Sequence, residues 1–323
     1  MRLERVVIAT DFSERSIAAA QWVARSFVPK AELMLVHVLE SPPPPHFLRR
    51  RSPRRADGSD ALRTGARERL RQIRRQLGKG LISEQLREGR AHEEVLRAAS
   101  EFAADLIVVG SHRDKPGFWN RFGSTAERIL GGARTPVLVV HGAPRDVPRT
   151  LLAAIDDSET GITVLGHAES LVRRLGASGT AMHVLPRQPI HPLLLPGELA
   201  IGNEHLMGIE QHYIEETREW LTGRLGLSNA LTPTVVLGDV AESILVQSRR
   251  AGADLLILGR ERQGTVRRYL LGSVTSNVLR GANCAVLVIP SVEDSNLTTL
   301  GDAGIAAGRG EEGPATTRLP SLA

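Results

Sequence analysis

Two loops carry the residue types and spacings best suited to chemistry. In the first, Gly110 and Arg113 are followed after nine residues by Gly123, Ser124 and Thr125; in the second, Gly259 and Arg262 are followed at the same spacing by Gly272, Ser273 and Val274. A glycine at a strand end lets the backbone approach a ligand with no Cβ in the way. A Gly-Ser pair opening a helix offers open N–H groups, a hydroxyl and the positive end of the helix dipole, which together suit a phosphate. Far upstream of each loop stands an aspartate two residues before a serine, Asp11 with Ser13 and Asp156 with Ser158. The chemistry this pattern predicts is the gripping of an anion. No nucleophile lies beside a base at motif spacing, and the chain has no Walker loop, nucleophile elbow or dinucleotide fingerprint.

Other candidates read as structural. His37 and His183 have no carboxylate at motif spacing and are assigned to packing. His92, beside Glu93 and Glu94, lacks the second histidine four residues on that a zinc helix requires. Cys284 is the single cysteine, which rules out a disulfide framework and a cysteine-based metal site. The stretch Arg49–Arg75 holds eleven arginines against Asp57, Asp60 and Glu68. Phe47 is its one neighbouring aromatic and no nucleic-acid module is recognisable, so it reads as a solvated loop and helix face, with nucleic acid not expected as a partner. The net charge of +5 comes almost wholly from arginine and is read as a compositional bias rather than as the mark of a dedicated anionic partner.

The elements that must position these residues are written twice. Shifting the chain by 149 residues aligns Gly89–Val140 with Gly238–Ile289 without a gap, and 16 of the 52 pairs are identical, where chance gives about 4. Gly89/Gly238, Asp105/Asp254, Gly110/Gly259, Gly123/Gly272, Ser124/Ser273 and Gly132/Gly281 are among them. The openings also match, Val6–Ser13 against Leu151–Ser158. In the first copy, apolar runs predict strands at Val6–Thr10, Leu33–Leu39, Leu81–Leu86, Leu106–Val109 and Val137–Val140. Helices are expected from about Ser13, over Ala61–Leu77, Glu93–Ala103 and Ser124–Leu130, with Ser13 as an N-cap. Strands alternating with helices imply an α/β fold, with two tandem parallel five-stranded sheets covered by helices on both faces. The division expected is 1–145, 146–291 and a polar, Gly-rich tail, 292–323, that reads as disordered. Ser41–Asp60, with Pro42 to Pro45, and Pro186–Met207, with Leu193–Leu195, read as irregular loops, the second as a lid or a partner patch. No apolar stretch reaches membrane-spanning length and the start lacks the pattern of a signal peptide, so a cytoplasmic protein with no membrane partner is expected.

Taken together these motifs resemble the universal stress protein family. That family carries a Gly, two residues, Gly, nine residues, Gly-Ser/Thr loop after its fourth strand, an opening aspartate followed two residues later by serine, and a second strand ending in His-Val. Here the last feature is His37-Val38 and His183-Val184. The likeness covers nearly the whole chain outside the two loops and the tail. It implies a Rossmann-like fold of the adenine nucleotide alpha hydrolase type, and ATP, with magnesium from solution, as cofactor. Carried over by resemblance, Asp11 and Val38, or Asp156 and Val184, lie at the adenosine. Gly110, Gly123, Ser124 and Thr125, or Gly259, Gly272, Ser273 and Val274, lie at the phosphates. The sequence departs from the pattern where the family's second glycine is Arg113 in one copy and Arg262 in the other. An arginine there is strained if the position needs a positive φ, which removes binding; otherwise its guanidinium becomes a phosphate donor, which alters it. The resemblance also implies pairing of the two halves through their fifth strands and allows a homodimer. It leaves open a nucleotide-sensing protein, a nucleotide-free scaffold for other proteins, and an ATPase of slow turnover.

Overall fold

The computed structural model describes residues 1–40, 56–78, 80–111, 124–142, 144, 146–186, 203–225, 230–260 and 271–291, with backbone alone for 56–59 and 203–210. Arg113, Gly123, Arg262, Leu193–Leu195 and the tail expected from 292 onward lie outside the described residues.

The first half runs β1 (Arg5–Ala9), α1 (Glu14–Trp22, continued by a π-helical turn Val23–Phe27), β2 (Glu32–Leu39), α2 (Ala56–Leu77), β3 (Ile82–Glu88), α3 (Ala91–Glu101), β4 (Leu106–Gly110), α4 (Ser124–Gly132) and β5 (Val137–Val140). The second repeats that order as β6 (Thr150–Ala154), α5 (Glu159–Leu175), β7 (Ser178–Pro186), α6 (Asn203–Leu225), β8 (Thr232–Gly238), α7 (Val240–Arg250), β9 (Leu255–Gly259), α8 (Ser273–Gly281) and β10 (Ala285–Ile289). Both stretches expected to be irregular include the start of a helix. Helix α2 begins at Ala56 and α6 at Asn203, because the prolines that forbid helix end at Pro53 and Pro196.

The two five-stranded sheets are one. The strand order is β3-β2-β1-β4-β5-β10-β9-β6-β7-β8. Within each half all neighbours are parallel, and the halves meet in an antiparallel seam that pairs Val137 with Val288, Leu138 with Leu287 and Val139 with Val286. Short strands buried on both faces explain the unbroken apolar runs. Alternation sends Val6, Ile8, Leu138 and Leu287 into one core layer and Val7, Val137, Val139 and Val286 into the other, and both layers pass through the seam.

The repeated aspartates are fasteners. Asp105 Oδ2 accepts from the backbone N–H groups of Glu4 and Arg5, both at 3.0 Å, and Asp254 Oδ2 accepts from those of Arg149 and Thr150 at 2.8 and 3.0 Å. Each fixes the start of its half's first strand. Further bonds cross between the halves. The Trp22 indole N–H donates to the Asp146 carbonyl at 2.8 Å, and the Met1 ammonium to Ser170 Oγ at 3.0 Å. Arg260, directly after β9 and only 3% exposed, reaches back to the end of α4. Its guanidinium donates to the carbonyl of Leu130 and, at 3.0 Å, to that of Ala133. A cation at a helix C-terminus satisfies carbonyls that the helix itself cannot.

Candidate functional site

In each half the strand order reverses between the first and fourth strands, and a cleft opens there at the carboxyl ends, as the geometry of open parallel sheets requires. The cleft of the first half has a volume of about 500 Å³, and that of the second about 700 Å³. Asp11, His37, Val38, Gly110, Ser124 and Thr125 line the first. Asp156, His183, Val184, Gly259, Gly272, Ser273 and Val274 line the second. Every described residue that the sequence assigned to a site therefore borders one of the two clefts.

The bends that follow β1 and β6 are built alike. Asp11 Oδ1 accepts from the Ser13 backbone N–H at 3.0 Å and from its hydroxyl at 2.6 Å, and Asp156 Oδ1 accepts the same pair from Ser158. Each serine then caps its helix, Ser13 Oγ accepting from Ser16 N–H at 3.2 Å and Ser158 Oγ from Gly161 N–H at 3.0 Å. One carboxylate oxygen thus holds the turn; Asp156, which lines its cleft, makes no further hydrogen bond among the described residues.

The strand-end glycines have a packing job that the sequence did not suggest. A Cβ on Gly110 would lie 3.2 Å from Ser16 Cα and 3.3 Å from its nitrogen, and one on Gly259 would lie 2.7 Å from Thr160 Cγ2. Their missing side chains admit the first turns of α1 and α5 against the sheet, and both glycines also line their clefts. The histidines keep the structural role expected of them and also border the clefts. The Nδ1 of His37 and that of His183 are each hydrogen-bonded to a strand-end carbonyl, Thr10 at 2.8 Å and Ile155 at 2.7 Å. Their recurrence at matching places in the two copies was the signal available in the sequence.

The helix starts decide what the clefts attract. Helices α1, α5 and α7 are closed by their own Ser13, Ser158 and Asp239. Helix α8 has Gly272 as its N-cap, with no side-chain cap among the described residues, and Ser273, Val274 and Thr275 of its first turn line the cleft at the positive end of the helix dipole. The Thr275 hydroxyl donates to the Gly259 carbonyl at 3.1 Å and ties that helix start to the end of β9.

The halves diverge elsewhere. In the first cleft Glu40 Oε1 accepts from the Ala91 N–H at 3.0 Å, which places a carboxylate on the start of α3; the corresponding residue of the second half is Pro186. Phe12 takes a left-handed φ of 67°, uncommon for a bulky residue, and stacks on His37 with ring centroids 3.8 Å apart. In the second half Asp157 replaces it, and α6 supplies Glu216, Thr217 and Trp220 as an added wall. Among the described residues no cluster of three or more potential metal ligands forms, and no helix is long and apolar enough to cross a membrane.

The chain is 26% identical over 304 residues to a universal stress protein of Mycolicibacterium smegmatis, an alignment covering 88% of this chain and 96% of that one. Among solved structures it is similar to a putative universal stress protein from Pseudomonas aeruginosa UCBPP-PA14, with a TM-score of 0.62 at 17% identity over 93% of this chain and 98% of that one. It is likewise similar to a universal stress protein from Archaeoglobus fulgidus, with a TM-score of 0.58 at 17% identity over 91% and 98% of the two chains. At such identities these two likenesses are of fold. The model of the universal stress protein family matches residues 2–141 and again 148–290, and the chain belongs to that family as a tandem member.

Proposed function

We propose that this protein binds ATP or a related adenine nucleotide in the cleft of its second half and acts as a nucleotide-responsive regulator in the cytoplasm. The observation that carries the reading is the start of α8, Gly272-Ser273-Val274, which has no side-chain cap among the described residues and lines a cleft of about 700 Å³ at the reversal of strand order. Open amides, a serine hydroxyl and a helix dipole form an anion site, and the volume lies within the range of small-molecule sites. ATP would rest its phosphates on Gly272, Ser273 and Val274 and its adenosine beside Asp156 and Val184, with magnesium arriving from solution on the phosphates. The same reading extends to the first half through Asp11, Val38, Gly110, Ser124 and Thr125, against the carboxylate of Glu40 that shares that cleft. No hydrolytic step is assigned.

Calorimetric titration of the full chain with ATP and magnesium tests the proposal, paired with mass spectrometry of any small molecule released on denaturation. Ser273→Ala is expected to weaken binding by about 10- to 100-fold, the worth of one hydrogen bond to a charged group, and Gly272→Val to weaken it further. Absence of heat up to millimolar ATP, with no nucleotide released, refutes the proposal. A nucleotide-free scaffold then takes its place. One observation favours that second reading: Asp156 and Gly259 already have structural tasks, in the turn after β6 and under α5.

A further inference from the structure

We infer that Trp220 is the specificity-determining residue of the second cleft, the surface against which the base of a bound purine nucleotide rests. The inference depends on the nucleotide reading above and deepens it. Glu216, Thr217 and Trp220 stand at positions i, i+1 and i+4 of α6, so their side chains share one side of the helix, and all three line the cleft. Trp220 is partly buried against the core layer beneath it. Its ring meets that of His183 at 69° with centroids 5.4 Å apart, and the Arg224 guanidinium carbon lies 5.6 Å from its centroid. His183 is itself held by its hydrogen bond to the Ile155 carbonyl. The indole is thus fixed by contacts on two sides rather than free to swing.

The cleft accordingly has an aromatic wall on α6 and an anion-attracting wall at the start of α8. A molecule with a flat π system joined to a polyanion satisfies both, and a purine nucleoside phosphate is that molecule. Among the described residues the first cleft has no such wall. No described residue of helix α2 lines it, and the one aromatic ring among its described lining residues is the imidazole of His37, already covered by Phe12. On the described residues, selectivity for the base therefore belongs to the second half.

The test compares two probes on the full chain, ATP with magnesium and inorganic tripolyphosphate, which has the charge without the base. Trp220→Leu is expected to weaken ATP binding about 10- to 100-fold, the range for loss of one base–aromatic stack, while tripolyphosphate binding stays within about twofold. Trp220→Phe, which keeps a ring, is expected to recover most of the ATP affinity. Photolabelling of the wild-type chain with 8-azido-ATP, which needs no variant to fold, is expected to mark the peptide containing Trp220. ATP binding within about twofold of wild type in Trp220→Leu, equal loss of both probes, or label confined to other peptides overturns the inference and leaves the nucleotide reading standing. A wild-type chain that binds no ATP overturns both.

Discussion

Replacing Arg260 with methionine tests whether the two halves are clasped as the structure indicates. Arg260 is 3% exposed and belongs to the second half, yet its guanidinium donates to the Leu130 and Ala133 carbonyls at the end of α4 in the first. Methionine fills a similar volume and donates nothing. Two buried helix-end carbonyls then lose their partners, at about 1–3 kcal/mol each. The favourable meeting of a cation with the negative helix end, worth up to about 2 kcal/mol in partly buried geometry, is lost as well. Against this stands relief of about a few kcal/mol from no longer burying a charge. The balance is a destabilisation of about 2–4 kcal/mol. Urea denaturation followed by circular dichroism is expected to show a lower midpoint at an unchanged slope, since the surface exposed on unfolding is the same. Arg260→Lys, which keeps the charge but has one compact donor group in place of a fork, is expected to fall between. An unfolding free energy for Arg260→Met within about 0.5 kcal/mol of wild type refutes the clasp.

Three other perturbations probe separate features. Burial pushes the Cys284 thiol up to about 11, so its thiolate at pH 8 is about a hundredfold scarcer than that of a free cysteine; alkylation by iodoacetamide at pH 8 is expected to be slower by that factor until urea unfolds the chain. Burial, with the nearby Met1 ammonium, lowers the pKa of His167 below its ordinary value of 6.5. The unfolded chain therefore binds the extra proton first, and stability is complete above about pH 6.5 and falls as pH drops through the window beneath it. His167→Gln is expected to flatten the fall between pH 7 and 5, and an identical pH profile for the variant counts against the assignment. A Cβ at Gly161 would stand 2.3 Å from the Asp156 carbonyl oxygen, so Gly161→Ala is expected to cost about 1–3 kcal/mol by forcing the start of α5 off the sheet, read as a lowered thermal midpoint; an unchanged midpoint contradicts that packing.

What the sequence revealed follows from how local each cause is. The Ser13 N-cap was legible because cap and helix start are neighbours in the chain, and Ser13 does accept from Ser16 N–H. The buried strands were legible because their apolar runs carry the signal within five residues. The clefts were legible through the repeat, since two copies under one geometric constraint keep the same residues at the same bends. The role of Gly110 was not, because the atoms that demand a glycine belong to Ser16, on a helix distant in sequence. The Arg260 clasp joins residues 127 and 130 positions apart, and its counterpart in the other copy is Ser111, so even the repeat gave no hint of it. Trp220 was missed for a related reason. Its place at the cleft depends on how α6 lies against the sheet, and no described residue of α2 lines the first cleft.

The seam between the halves permits one more deduction. Its pairing is centred on Leu138 opposite Leu287, with Val137 opposite Val288 and Val139 opposite Val286. Under the repeat, Leu287 is the copy of Leu138, Val288 of Val139 and Val286 of Val137, and each pair is identical. The contact is therefore a two-fold arrangement of one short strand with itself, made within a single chain. A fragment of residues 1–145 leaves Val137–Val140, buried in the intact protein, as an open strand edge, which invites pairing. A second fragment can restore every residue pair of the seam, Leu138 against Leu138 and Val137 against Val139, in the self-complementary manner of a two-fold interface. It cannot restore the clasp, because Ser111 stands where Arg260 would be needed. Sedimentation analysis is thus expected to find the fragment as a dimer that dissociates on dilution, and Leu138→Glu to abolish pairing by burying an unpaired charge. A wild-type fragment that stays monomeric and soluble at high concentration would mean that the seam in the full protein is held by the covalent link and the Arg260 clasp rather than by the strands themselves.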